Sequence, residues 1–148
     1  MTCVQYHILS PESGRDVWKW VYREGNDAAD HETHVAREKK TTSDIRWDHS
    51  FLNSLRSEST CVRAVRGSFD GGKCDVGVSC GWVIDLYIVI SSPSSSSPPP
   101  GLSESWWQLG VGRRAFMLPS HCTITQGELA SAHSLLSGFS ELASHIKL

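Results

Sequence analysis

The sequence predicts an α/β fold: an antiparallel meander of three strands with a helix packed on one face, preceded by a further strand and helix. Three observations predict it. Residues 61–69, 76–90, 106–118 and 125–146 read as strand, strand, strand and helix in succession. The last of these places Leu129, Ala132, Leu136, Phe139, Ala143 and Ile146 at steps of three and four residues, the spacing of one helical face. A separate strand and helix, residues 17–23 and 27–40, precede them.

Each element has a local reason. VWKWVYR, residues 17–23, is rich in aromatic and β-branched residues, and alternation puts Trp18 and Trp20 on one strand face. DAADHETHVAREKK, residues 27–40, carries its acids early and its bases late, as a helix dipole prefers, with Asn26 as a cap. Residues 41–60 are a polar linker, within which Trp47, Phe51, Leu52 and Leu55 can form a short amphipathic helix. CVRAVRGSF, residues 61–69, is a strand stopped by Gly71-Gly72. In SSPSSSSPPPGLSES, residues 91–105, Ser and Pro fill 12 of 15 positions, so this insertion cannot bury apolar surface and is read as disordered.

Composition bounds the function. A chain of 148 residues with 39% hydrophobic residues supports one core. A formal net charge of −2 supplies no global basic field to recruit nucleic acid. The longest apolar run, Trp82 to Ile90, is interrupted by Asp85 and falls short of the roughly 20 residues of a membrane span. The start has no basic segment followed by an apolar one, so no secretory signal is read. Five cysteines without a C-x-x-C pair fit reduced thiols in an intracellular protein, nuclear or cytoplasmic, better than a disulfide framework.

Two carboxylates stand out by position. Asp70 lies where the strand 61–69 meets the glycine pair, in SFDGG, and Glu128 lies in the first turn of the last helix, in TITQGELASAH. An acid at a strand end and another on a helix crossing that sheet can converge, and converging carboxylates bind hard cations such as Mg²⁺.

These residues carry a resemblance. RGSFDGGKCDVGVSCGWVIDLY resembles the opening hairpin of the type 1 ribonuclease H-like family, in which an aspartate ends the first strand in a D-G motif. Thr123 to Leu129, T-x-x-x-x-E-L, is similar to the family's entry into its first helix, whose glutamate is the second metal ligand. VWKWVYREGNDAADHETHVARE resembles its last strand and helix, where N-x-x-A-D is matched by Asn26, Ala29 and Asp30. The resemblance covers roughly residues 17–38 and 61–146. It implies an incomplete RNase H-like fold, Mg²⁺ as cofactor, and Asp70, Glu128 and Asp30 as metal ligands and catalytic carboxylates. It also implies hydrolysis of the RNA strand of an RNA–DNA hybrid, recognised by backbone shape and 2′-hydroxyls. Arg66, Lys73, Gly71 and Gly72, around Asp70, are the candidate nucleic-acid contacts.

The chain departs from the family in two ways. Its matching pieces run in the wrong order, as in a permuted domain or the junction of two tandem copies. Nothing matches the family's fourth strand, which carries another ligand aspartate. The second reading is therefore a catalytically inactive binding module or retroelement-derived relic. A sheet edge left open by the missing strand invites self-association. Strand 17–23 is expected beside strand 61–69, in parallel, bringing Asp30 towards Asp70.

Simpler readings stand beside these. Asp70 next to two glycines is also a turn signal, and Thr125-x-x-Glu128 is also a capping-box pattern. Asp30 in a first helical turn suits the dipole whatever its function. His31, His34 and Glu38 share a helix face and read as solvated rather than as a metal site. Cys74 and Cys80 read as idle thiols, and Trp18, Trp20, Trp82, Trp106 and Trp107 as core or sheet residues more than as base-stacking platforms. Ordinary surface charge accounts for Arg63, Arg66, Lys73, Arg113 and Arg114 as well as phosphate binding does.

Overall fold

The computed structural model describes residues 3–9, 16–21, 26–40, 42–55, 60–90 and 104–146. The elements in chain order are β1 (Cys3–Leu9), β2 (Asp16–Val21), α1 (Asp27–Lys39), β3 (Arg46–Trp47), α2 (His49–Ser54), β4 (Thr60–Cys74), β5 (Gly77–Ile90), β6 (Glu104–Leu118) and α3 (Ile124–His145). The strands form a six-stranded sheet of order β2-β1-β4-β5-β6-β3, and every pair is antiparallel. The Ser/Pro segment lies outside the described residues except at Glu104 and Ser105, which begin β6.

The meander β4-β5-β6 and helix α3 stand where the sequence reading put them. The expected parallel strand does not. β2 pairs only with β1, and it is β1 that lies against β4, antiparallel, with Val4 opposite Phe69 and Leu9 opposite Ala64. The reason is the seven-residue strand at Cys3–Leu9, which the sequence reading did not assign and which takes the β4 edge itself. β1 covers the edge of β4 from Ala64 to Phe69, and the outer strands of the described sheet are β2 and the two-residue β3.

Long strands carry β4 past the point where Gly71-Gly72 was read as a stop. β4 runs to Cys74 and turns at Asp75-Val76 into β5, with Asp70 opposite Gly81 and Cys74 opposite Gly77. Neighbouring residues of a strand face opposite ways, so their contacts show which helix covers which face. A Cβ on Gly81 would stand 2.6 Å from the Glu32 Cβ of α1, whereas the next residue, Trp82, packs on Gly138 of α3. α1 and α3 therefore cover opposite faces, and β5, covered on both, is buried along nearly its whole length.

The main core lies on the α3 side. Val65, Phe69, Val78, Cys80, Trp82, Ile84, Leu86 and Ile88 from the sheet meet Leu135, Phe139, Leu142 and Ile146. The buried face of α3 is rotated from the stripe read in sequence, with Phe139 and Ile146 buried but Leu129 66% and Leu136 40% exposed. The seam is made instead of small and polar residues, Gly127, Ser131, Ser134 and Gly138 among them, because the helix rides close to the sheet. A Cβ on Gly138 would come within 2.7 Å of the Trp82 ring, and the indole Nε1 donates to Ser134 Oγ at 2.9 Å.

Residues 42–55, within the segment read as a linker, are structured. Arg46 and Trp47 pair with Arg113 and Gly112 of β6, Asp48 caps α2 by accepting from the Phe51 nitrogen, and Leu52 enters the core at 4% exposure. The α1 side is held by charge. Glu32, 1% exposed, is paired with Arg46 and with Arg113, the latter at 3.6 Å. Arg113 and Arg114 do face opposite ways, since Arg114 donates to Ser134 Oγ of α3 and to the Ser43 carbonyl.

Candidate functional site

β4 brings Asp70 to the middle of the sheet. It is paired across to Gly81 and only 6% exposed, so it is not a turn residue. Its Oδ1 accepts from the Gly71 nitrogen at 2.8 Å, and its carbonyl accepts from Ser131 Oγ of α3 at 2.7 Å. The pairing with β1 reaches Val4 opposite Phe69, one residue before Asp70.

α3 starts beside this point. Thr123 Oγ1 accepts from the Gln126 nitrogen at 3.1 Å, and Gln126 Oε1 accepts from the Thr123 nitrogen at 2.8 Å. The capping box is therefore Thr123–Gln126, two residues earlier than the Thr125–Glu128 pattern read in sequence, and Glu128 is not its acid. A Cβ on Gly71 would stand 3.0 Å from the Glu128 nitrogen and 3.1 Å from the Gly127 carbonyl carbon, so a larger residue here would push α3 back by a few tenths of an ångström. Glu128 is half-buried, and burial first and the Asp70 carboxylate second push its carboxyl above the ordinary value. The Asp70 charge thus acts on Glu128 alongside burial.

α1 reaches β4 from the other face although its preceding strand does not. Asn26, 1% exposed, makes no side-chain cap and instead donates Nδ2 to the Phe69 carbonyl at 3.1 Å. Asp30 is one turn further on, its carboxylate 3.4 Å from His34 Nε2. Among the described residues no three Asp, Glu, His or Cys side chains come together as a metal-holding group, so Asp30 does not join Asp70 and Glu128 in such a cluster. His31, His34 and Glu38 are, respectively, exposed members of the same helix.

The candidate nucleic-acid residues separate. Arg66 is committed within the fold: Nε and Nη2 donate to Asp85 Oδ2 at 3.0 and 2.8 Å, and the guanidinium lies 4.1 Å over the Trp107 ring. Asp85 also accepts from the Gly110 nitrogen, which explains a buried acid inside an apolar run. Lys73 is exposed at the hairpin end, while Gly71 and Gly72 are buried and serve close packing. Cys80 is fully buried, its thiol pushed up to about 11 by burial. It lies opposite Gly71 in register, whereas Cys74 lies opposite Gly77.

Sequence reading missed Arg37, Glu32 and Ser131. The buried positions of α1, at 29, 32, 33 and 36, follow the helical spacing, but their Ala, Glu and Thr side chains are too small or too polar to mark that face as buried. A shallow pocket of about 330 Å³, lined by Asp44, Ile45, Arg114 and Glu141, lies near the other end of α3, roughly 20 Å along the helix from Glu128.

The fold and site define an α/β protein with one antiparallel sheet between helices, a buried aspartate on its strand β4 and a glutamate in the first turns of α3. No family model, curated protein or solved structure matches this chain.

Proposed function

We propose that the chain is an RNase H-like domain that hydrolyses the RNA strand of an RNA–DNA hybrid with Mg²⁺, using Asp70 and Glu128, with Asp30 in an assisting place on α1. The observation that carries this reading is a buried aspartate in mid-sheet whose charge, after burial, helps raise the carboxyl of a glutamate in the first turns of α3. A hard cation relieves such repulsion. The donors suit it: the Asp70 and Glu128 carboxylates, and one residue from Asp70 along β4 the side chain of Asn26, whose buried Oδ1 has no hydrogen-bond partner among the described residues. A cation held there would supply water activation and would neutralise charge on the phosphodiester. The protein's part is to hold Asp70 through Gly71 and Ser131, and to seat Glu128 against β4 by the glycine contact.

One observation favours the inactive alternative. The strand beside β4 is Cys3–Leu9, CVQYHIL, which has no carboxylate to add to the site. The experiment is cleavage of a labelled RNA–DNA hybrid in Mg²⁺ by the wild type, Asp70→Asn and Glu128→Gln. Cleavage lost in both variants is the expected result. A folded wild type without cleavage removes the enzyme and leaves the binding module.

A further inference from the structure

Two buried side-chain polar atoms lack a hydrogen-bond partner among the described residues, Asn26 Oδ1 and Arg37 Nε. Asn26 precedes α1 and Arg37 lies on it, and both abut β4 within two residues of Asp70. Asn26 is bonded to the Phe69 carbonyl, and Arg37 Nη2 lies 3.2 Å from where a Cβ on Gly72 would stand. Gly72 and Asp70 share a strand face, roughly 7 Å apart by strand geometry. A buried polar atom without a partner carries most of its desolvation cost, so each of the two needs an explanation.

The other arginines of this face are satisfied. Arg46 and Arg113 pair with Glu32, and Arg66 pairs with Asp85. Arg37 pairs with no described carboxylate, although it is half-buried and its guanidinium fills the notch that Gly72 leaves. An orphaned acceptor on one side of Asp70 and an orphaned N–H donor on the other suit a ligand that is positive at one end and negative at the other. A cation-bound phosphate is such a ligand, and the planar guanidinium fork matches phosphate oxygens. Exposed Lys73, next to Gly72, adds a second positive charge.

We propose that Arg37 is a phosphate-binding residue of the Asp70 site and holds a phosphodiester of the nucleic-acid backbone. This rests on the nuclease-fold reading above and adds the contact that the sequence assigned to Arg66. Gly72 is then the residue that makes room for the guanidinium, and Arg66 is a structural one.

The test uses the full chain with a short labelled RNA–DNA hybrid in EDTA, where nothing is cleaved, read by fluorescence anisotropy across a salt series. Arg37→Gln should weaken binding about tenfold and lower the salt slope by about one. Arg37→Lys should recover part of the affinity, and Lys39→Gln, an exposed cation on the same helix, should cost less. In parallel, the ¹H–¹⁵N signal of Arg37 Nε is followed while inorganic phosphate or the hybrid is added. Both additions should move it. Affinity unchanged in a folded Arg37→Gln, or a folded wild type that binds neither probe, overturns the proposal. A signal moved by phosphate and untouched by the hybrid overturns the nucleic-acid source and assigns a free-phosphate site. Arg37-dependent hybrid binding in a protein that never cleaves keeps the phosphate contact and removes the nuclease reading.

Discussion

Glu32 offers the sharpest test of how α1 is held on the sheet. Its carboxylate is 1% exposed, while the two arginines that meet it are 47% (Arg46) and 37% (Arg113) exposed at their side chains. At an effective dielectric near 20, the 3.6 Å contact with Arg113 alone is worth about 4–5 kcal/mol of Coulomb energy before desolvation is subtracted. The exposures then decide which partner is costlier to lose. Glu32→Gln leaves two cations that solvent can reach, so it should cost about 2–3 kcal/mol. Removing both arginines strands a buried carboxylate and should cost about 3–5 kcal/mol, whereas either arginine alone should cost about 1 kcal/mol. Urea unfolding is the assay, because guanidinium would screen the charges being measured. Each kcal/mol should also move the melting temperature by about 2–4 °C. A Glu32→Gln variant less stable than the double arginine variant would refute the reasoning, since it would show that the carboxylate is not the desolvated partner.

Three further outcomes follow from packing and titration. Gly81→Ala puts a Cβ 2.6 Å from the Glu32 Cβ and 2.9 Å from its carbonyl carbon, so α1 must lift; a loss of about 1–3 kcal/mol in urea unfolding is expected, and none would show that the helix sits further out. Thr123→Val should cost about 1 kcal/mol and Thr125→Val much less, because the capping box is at Thr123 and Gln126; equal losses would restore the pattern read at Thr125. The raised Glu128 carboxyl binds its proton more tightly folded than unfolded, so this group favours the fold at low pH and its contribution is lost as pH rises from the ordinary glutamate range through the raised value. Glu128→Gln should therefore match wild type at the acid end and exceed it in stability at neutral pH; a variant less stable at neutral pH would reverse the sign.

The meander and the last helix were legible because their signals are long. Residues 76–90 are apolar enough to be buried on both faces, and the structure covers both. What failed were inferences from single residues. Gly71-Gly72 looked like the end of a strand, since glycine pairs usually mark turns; here they lie inside β4 because α3 and Arg37 press on them. Leu129 and Leu136 looked like part of α3's buried face but turn outward; the helix instead meets the sheet through Gly127, Ser131, Ser134 and Gly138 together with Leu135, Phe139 and Leu142. Asp70 and Glu128 were found by motif, and the influence of the first on the second is a tertiary fact that no local pattern carries. The place of β2 was misjudged because strand pairing depends on which other strand competes for the edge, and β1 was that competitor.

The competition at that edge bears on function as well as fold. α1 and α3 come from distant parts of the chain, cover opposite faces, and both touch β4 within a residue or two of Asp70, through Asn26 on one side and Ser131 on the other. β1, the neighbour on the same edge, contributes no carboxylate, so the local negative charge that would draw a second cation is absent from it. Cation affinity depends on how many charged oxygens a site provides, and two carboxylates with neutral oxygens keep a divalent ion weakly. Phosphate contact needs no such count, because a half-buried guanidinium carries its charge at every working pH. If the site works as proposed, hybrid binding should therefore survive in EDTA while cleavage rises steeply with Mg²⁺ concentration. Cleavage already saturated at low Mg²⁺ would mean that further ligands complete the site.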